Sequence, residues 1–238
     1  MLLVGVSPNS LGEFMAKAIA NHAPALLILA SRTESRINEV INSIRPQAPE
    51  VPIKTVVVEL SSQKSVRQAA KEINALTSKL DIVINNAAVN VQDYQTTEEG
   101  IEMHFGTNHV GLFLLTNLVL GKVIEAAETS STKGSTRIIN LTSAGHRLSP
   151  IRFSDYNFQK KRSELPEEEQ PAKWQPMKFV GLEVPYEPYI AYGQSKTANI
   201  LFSVSLTGKL KERGVLSFSV HPGCERALLL RNAMKILG

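Results

Sequence analysis

The chain has 238 residues, 43% apolar and 20% charged, with 26 Lys and Arg against 22 Asp and Glu for a formal charge of +4. That is enough chain for a sizeable core, and the basic residues are too thinly spread to argue for nucleic acid. The single cysteine, Cys224, excludes a disulfide framework and a thiolate metal cluster and fits a reducing, cytoplasmic setting. No run reaches the roughly 20 uninterrupted apolar residues of a membrane span. The first residues lack the basic flank and long apolar stretch of an export leader, so neither a span nor export is expected.

Short apolar runs predict strands over residues 1–4, 25–30, 53–59, 80–85, 136–141 and 216–221. Between them, apolar residues three and four apart predict helices over 11–22, 34–44, 64–76, 108–127 and 192–213. Strands that are apolar throughout and alternate with helices imply a parallel sheet covered on both faces. The expected class is therefore α/β, a doubly wound Rossmann sheet in the order 3-2-1-4-5-6, with its site at the carboxyl ends of the strands. Residues 1–238 are read as a single dinucleotide-binding catalytic domain. Residues 147–188 interrupt the rhythm with prolines and with Phe153, Tyr156, Phe158, Trp174, Phe179, Tyr186 and Tyr189, a composition that predicts an ordered flap.

Three segments carry chemistry. Between the first strand and first helix, Gly5, Ser7, Asn9, Ser10, Leu11 and Gly12 form a candidate phosphate loop, where a pyrophosphate would meet backbone amides and the helix dipole. After the second strand stands Arg32, where a basic residue suits a ribose 2′-phosphate and an acidic one a 2′-hydroxyl, so NADP(H) is expected over NAD(H). Tyr192 and Lys196 lie four apart on one helix face, and an ammonium beside a phenol is expected to lower the phenol's pKa toward working pH. His109 sits among apolar residues and is read as a packed core histidine. His22 is read as a surface residue, and His104, His146 and His221 are too scattered for a metal site.

Together with LDIVINNAA at 80–88, RIINLTS at 137–143 and Val220-His221-Pro222-Gly223, these segments resemble the short-chain dehydrogenase/reductase family, in order and over nearly the whole chain. The stretch from Asn108 to Thr116 and the long insert resemble its retinol-dehydrogenase-like and WW-domain-oxidoreductase-like branch, whose fungal members often serve secondary metabolism. The resemblance implies that Ser143 polarises the substrate oxygen, Tyr192 is the acid/base, Lys196 holds the ribose and tunes Tyr192, and Asn108 completes a proton relay. It further implies that Asn86 and Ala87 flank the nucleotide and that Glu59 and Leu60 lie near its adenine. The expected partners are a small carbonyl or alcohol, bulky and apolar, and a second copy of the chain.

The pattern departs from the family's at Val4 for a threonine, at a middle glycine replaced by Asn9 or Ser10, at Glu59 for aspartate and at Ala88 for glycine. After Gly223 the usual threonine, covering helices and seventh strand are missing, which predicts a shortened C-terminus and an open pocket. Two alternatives follow: a nucleotide-binding homologue without turnover, and an epimerase or dehydratase, for which no C-terminal substrate domain is present.

Overall fold

The computed structural model describes residues 1–171 and 184–223. Its elements run β1 (Leu2–Val4), α1 (Leu11–Ala20), β2 (Leu27–Ser31), α2 (Glu34–Ile44), β3 (Ile53–Val57), α3 (Gln63–Leu76) and β4 (Ile82–Asn85). They continue through α4 (Met103–Phe105), α5 (Leu112–Glu128), β5 (Thr136–Leu141), α6 (Pro188–Leu210) and β6 (Val215–Val220). The six strands form one parallel sheet in the order β3-β2-β1-β4-β5-β6, as the alternating pattern predicts.

Helices cover both faces, which is why the strands are apolar at successive positions rather than at alternate ones. In β1, Leu2 and Val4 pack with Val66, Leu115 and Val119 of α3 and α5, whereas Leu3 packs with Ala16, Ile37 and Val40 of α1 and α2. The winding reverses between β1 and β4, where Val4 pairs with Asn85, and the carboxyl ends of these strands open a cleft.

Two helices differ from their expected bounds. The helix expected from 192 begins at Pro188, because Glu187 caps it by accepting the Ile190 N–H at 2.9 Å and Pro188 suits the first turn. It ends through a 3₁₀ turn (Lys211–Arg213) at Gly214, whose φ of 82° closes the turn. The helix expected from 108 begins with α4, capped by Glu102, and passes through a π turn (Gly106–Gly111) before α5. Met103–Glu128 is also long and apolar enough to cross a membrane, with a mean hydropathy of 1.7 over its most apolar stretch. Counting only uninterrupted apolar residues overlooked it, since Thr116, Asn117 and Gly121 break the run without lowering its average much. In the structure Leu112, Leu115, Val119 and Val123 of this segment are buried in the core beside the sheet.

The described part of the insert is organised by Arg152, 3% exposed. Its guanidinium pairs with Asp155, donates to the Lys160 carbonyl at 2.7 Å and lies 4.2 Å from the Phe158 ring centroid. Trp174 and Phe179 fall outside the described residues, as do Cys224 and the C-terminal stretch on which the shortened end turns. Among the described residues no seventh strand follows β6.

Candidate active site

The cleft at the reversal point has a volume of about 470 Å³. The phosphate loop forms its floor. Gly5 adopts φ 97°, and a Cβ there would collide with the backbone of Ala87 in the loop after β4. Gly12 lies so close to the Gly5 carbonyl that a side chain would displace it, while Asn86 Nδ2 donates to that carbonyl at 2.5 Å. The two loops are thus joined where a ligand's pyrophosphate would approach backbone. Asn9 fills the left-handed position at φ 57°, a conformation asparagine tolerates. Its N–H donates to Glu13 Oε2 at 2.6 Å. Hydrogen bonds from Lys17, Ser43 and Asn9 hold the Glu13 carboxyl at a pKa of about 2. Ser10 accepts the Glu13 N–H at 3.3 Å and donates to the Ser7 carbonyl at 2.6 Å, fixing the loop as it enters α1.

Ser7, Ser10, Leu11, Arg32, Glu59, Leu60, Asn86, Ala87 and Tyr192 line this cleft together with the two glycines. Exposed Asn9, partly buried Ser143 and the buried Asn108 and Lys196 are not part of the lining. Arg36, four residues after Arg32 and in the first turn of α2, was not anticipated from the sequence; both arginines line the cleft. The Glu59 carboxylate accepts from the Ser61 N–H at 3.1 Å and its hydroxyl at 2.9 Å. Of the paired amides that end β4, Asn86 faces the loop, whereas Asn85 is buried in the sheet and donates to Thr116 and Asn140.

Tyr192 of α6 reaches the lining; Ser143 lies just past β5 and Lys196 one turn along α6 from Tyr192. The Ser143 side chain lies close enough to Tyr192 to draw its pKa down, and the Tyr192 ring packs on Gly145, where a Cβ would stand 3.2 Å from it. The neighbouring Thr142 hydroxyl is turned away and donates to the Lys196 carbonyl at 2.9 Å. Lys196 is 2% exposed; its Nζ lies 5.4 Å from the Tyr192 ring centroid and donates to the Leu141 carbonyl at 3.3 Å. Burial brings its ammonium down to a pKa of about 8.

The Tyr192 pKa is raised, not lowered as the spacing of Tyr192 and Lys196 predicts. Burial pushes the phenol up, and the Ser143 side chain offsets this only in part. The cause is geometric: the ammonium is held against the Leu141 carbonyl, and the buried phenol lacks the water that would stabilise its anion.

Asn108, fully buried in the π turn, does not bond Lys196. Its Oδ1 accepts the Val89 N–H at 2.7 Å, and its Nδ2 donates to the Val89 carbonyl at 3.0 Å and to Ser195 Oγ at 3.1 Å. Ser195 Oγ in turn donates to the Tyr192 carbonyl at 2.7 Å. His109 is half-buried against Phe105, Phe113 and Phe202 with its Nδ1 3.2 Å from Asn199 Oδ1, and burial lowers its pKa, in keeping with a packed histidine. No group of three or more potential metal ligands occurs among the described residues.

Comparison with known proteins agrees with this architecture. A family model described as short chain dehydrogenase matches residues 1–161. The oxidoreductase fscI of Fusarium equiseti is 37% identical over 225 residues, covering 93% of this chain and 85% of that protein. Human retinol dehydrogenase 11 is 34% identical over 233 residues, covering 98% of this chain, which spans only 63% of that relative's length. Among solved structures, the RhlG/NADP active-site complex of Pseudomonas aeruginosa superposes with a TM-score of 0.69 at 18% identity, covering 98% of this chain and 76% of that one. With its sheet order, its reversal-point cleft and these relatives, the chain belongs to the short-chain dehydrogenase/reductase family and is similar to the retinol dehydrogenases within it.

Proposed function

We propose that the protein is an NADP(H)-dependent oxidoreductase that interconverts a carbonyl and an alcohol. The observation that carries this reading is that Tyr192, with Ser143 and Lys196 beside it, lines the same cleft as the phosphate loop and Arg32. The glycine cradle at Gly5 and Gly12, which a side chain would fill, fits a nucleotide pyrophosphate. Bound there, a nicotinamide supplies or accepts the hydride. Arg32 and Arg36 would hold a 2′-phosphate at the end of β2.

The residues of the chain divide the remaining work. Ser143 orients the substrate oxygen beside the Tyr192 hydroxyl, and Tyr192 moves the proton. A phenol kept protonated by burial is poised to donate, which suits carbonyl reduction at neutral pH. Lys196, whose Nζ lies 5.4 Å from the Tyr192 ring centroid, would hold the ribose of a bound nucleotide beside Tyr192. Thr142 is excluded from this role by its bond to the Lys196 carbonyl. The Tyr94 and Tyr186 rings pack edge-on at 5.1 Å, and Tyr186 reaches His104, whose ring stands against Tyr192; this aromatic cluster supports a bulky apolar substrate.

The test is a titration with NADPH and NADH followed by nicotinamide fluorescence, with Arg32→Asp and Tyr192→Phe beside the wild type. NADPH preference that weakens in Arg32→Asp, with turnover lost and NADPH binding retained in Tyr192→Phe, supports the proposal. Binding without turnover of any carbonyl would favour a non-catalytic homologue, and no binding of either nucleotide would remove both readings.

A further inference from the structure

Beside the cleft lies a pair of ionisable side chains that the proposed chemistry does not use. Glu102 and His104 are both fully buried, and Glu102 Oε1 lies 2.8 Å from His104 Nδ1. On the far side of the ring, His104 Nε2 accepts the backbone N–H of Val91 at 3.0 Å. A nitrogen that accepts carries no hydrogen, so the neutral ring must hold its proton on Nδ1, facing the carboxylate. The same ring stands edge-on to Tyr192, with centroids 6.0 Å apart and planes at 83°.

Glu102 is equally committed. Its Oε1 also accepts the His104 N–H at 3.0 Å, and its Oε2 accepts the Phe105 N–H at 2.8 Å. Every one of these neighbours is a donor, a setting that a carboxylate satisfies and an amide cannot, because one end of an amide is itself a donor.

We infer that Glu102 and His104 are positioning residues: Glu102 fixes the ring tautomer with which His104 clamps the Val91 amide, holding the loop after β4 and the edge of Tyr192 in register. The clamp is the second of two on that loop, since Asn108 already grips both backbone groups of Val89, a residue of the cleft lining. Its role in turnover rests on Tyr192 being the acid/base, but the clamp itself does not. A shift of the loop would misplace a reacting group with little change in the phosphate loop, so kcat and not cofactor affinity should suffer, on the order of 10- to 100-fold.

The test uses the full chain with NADPH bound and four variants: Glu102→Gln, His104→Phe, His104→Gln and Tyr192→Phe. Histidine ¹⁵N spectra should show a protonated Nδ1 and a bare Nε2 in the wild type, and Glu102→Gln should perturb that assignment. Hydrogen exchange in the peptide 88–95 should accelerate about tenfold in Glu102→Gln and His104→Phe while the β-sheet peptides stay protected. His104→Gln, whose amide oxygen can reach the Nε2 position, should restore protection. With all-trans-retinal as carbonyl probe, kcat should follow the exchange pattern while NADPH affinity stays within about twofold of wild type.

Unchanged exchange in both Glu102→Gln and His104→Phe would overturn the clamp. So would exchange raised evenly through the protein, or a His104→Gln variant no better than His104→Phe. Turnover surviving in Tyr192→Phe would instead remove the acid/base reading, and the exchange data would still decide the clamp.

Discussion

The backbone N–H of Arg152 donates to Oε1 of Gln194 at 2.8 Å, and Gln194 Nε2 donates to the Tyr156 carbonyl at 3.1 Å. Gln194 is fully buried on α6 between Tyr192 and Lys196, so its amide, together with Thr197 donating to the Ser149 carbonyl at 2.7 Å, fastens the insert to the helix that carries the proposed proton donor. Replacing Gln194 by leucine keeps the bulk and leaves two backbone groups without partners, at a cost of about 3 kcal/mol. Denaturant unfolding of Gln194→Leu measures this. A loss below about 0.5 kcal/mol, the range of a neutral surface change, would show that the amide does not fasten the insert.

Gly5 is the least replaceable residue of the phosphate loop. Alanine there meets both the left-handed φ of 97° and the backbone of Ala87, so the two loops must separate. Gly5→Ala is expected to lose NADPH affinity by more than about tenfold, equivalent to about 1.4 kcal/mol of binding free energy. Fluorescence titration of the folded variant decides it, and wild-type affinity would contradict the cradle.

Lys196 makes stability depend on pH. Its folded pKa of about 8 lies below the ordinary lysine value of 10.5, so the folded state is the one that resists protonation. Below the folded value both states carry the proton and the cost of burying charge is present in full, about 3 kcal/mol. Between the two values the unfolded state binds more protons, so stability attributable to this group rises with pH until both states are neutral. Lys196→Met removes that rise. Unfolding curves of both proteins at pH about 7 and about 10 should therefore show the variant's advantage shrinking with pH, and a constant difference would refute it.

Glu13 has the opposite dependence. Its folded pKa of about 2 lies below the ordinary glutamate value of 4.5, so its contribution is present above 4.5 and lost as pH falls toward 2. Glu13→Gln is expected to be less stable than wild type at neutral pH, with the gap closing in acid. A gap that is the same at both ends of a pH series of unfolding curves would mean that packing, not charge, accounts for it.

The legible parts of the sequence were those whose cause is local or follows from winding. The apolar runs around Leu3, Leu29 and Ile138 mark strands covered on both faces, and right-handed crossovers then leave few orders for the sheet. Gly5, Arg32 and Tyr192 are visible because each stands at a strand end or a fixed helical spacing. The pairing of Glu102 and His104 was not visible: two polar residues two apart become a buried pair only when the insert and α6 close over them. The bond from the Glu102 N–H to Asn157 Oδ1 at 2.9 Å, 55 residues along the chain, is part of that closure. The Tyr192 pKa was misjudged for a related reason, since spacing shows that Lys196 is near but not that both groups are dry.

The π turn at Gly106–Gly111 has a consequence for how such a site can arise and be lost. A π turn behaves as one additional residue lodged in a helix, and removing one residue would let Met103–Glu128 run as a regular α-helix, at about 100° per residue. The apolar stripe of α5 would stay on the sheet, but everything before the deletion would rotate about the axis. Asn108 would leave Val89, and Glu102 and His104 would swing off the loop together. The grip on the loop after β4 is thus encoded by chain length as much as by residue identity: a one-residue deletion could erase it without substituting any of the residues that form it.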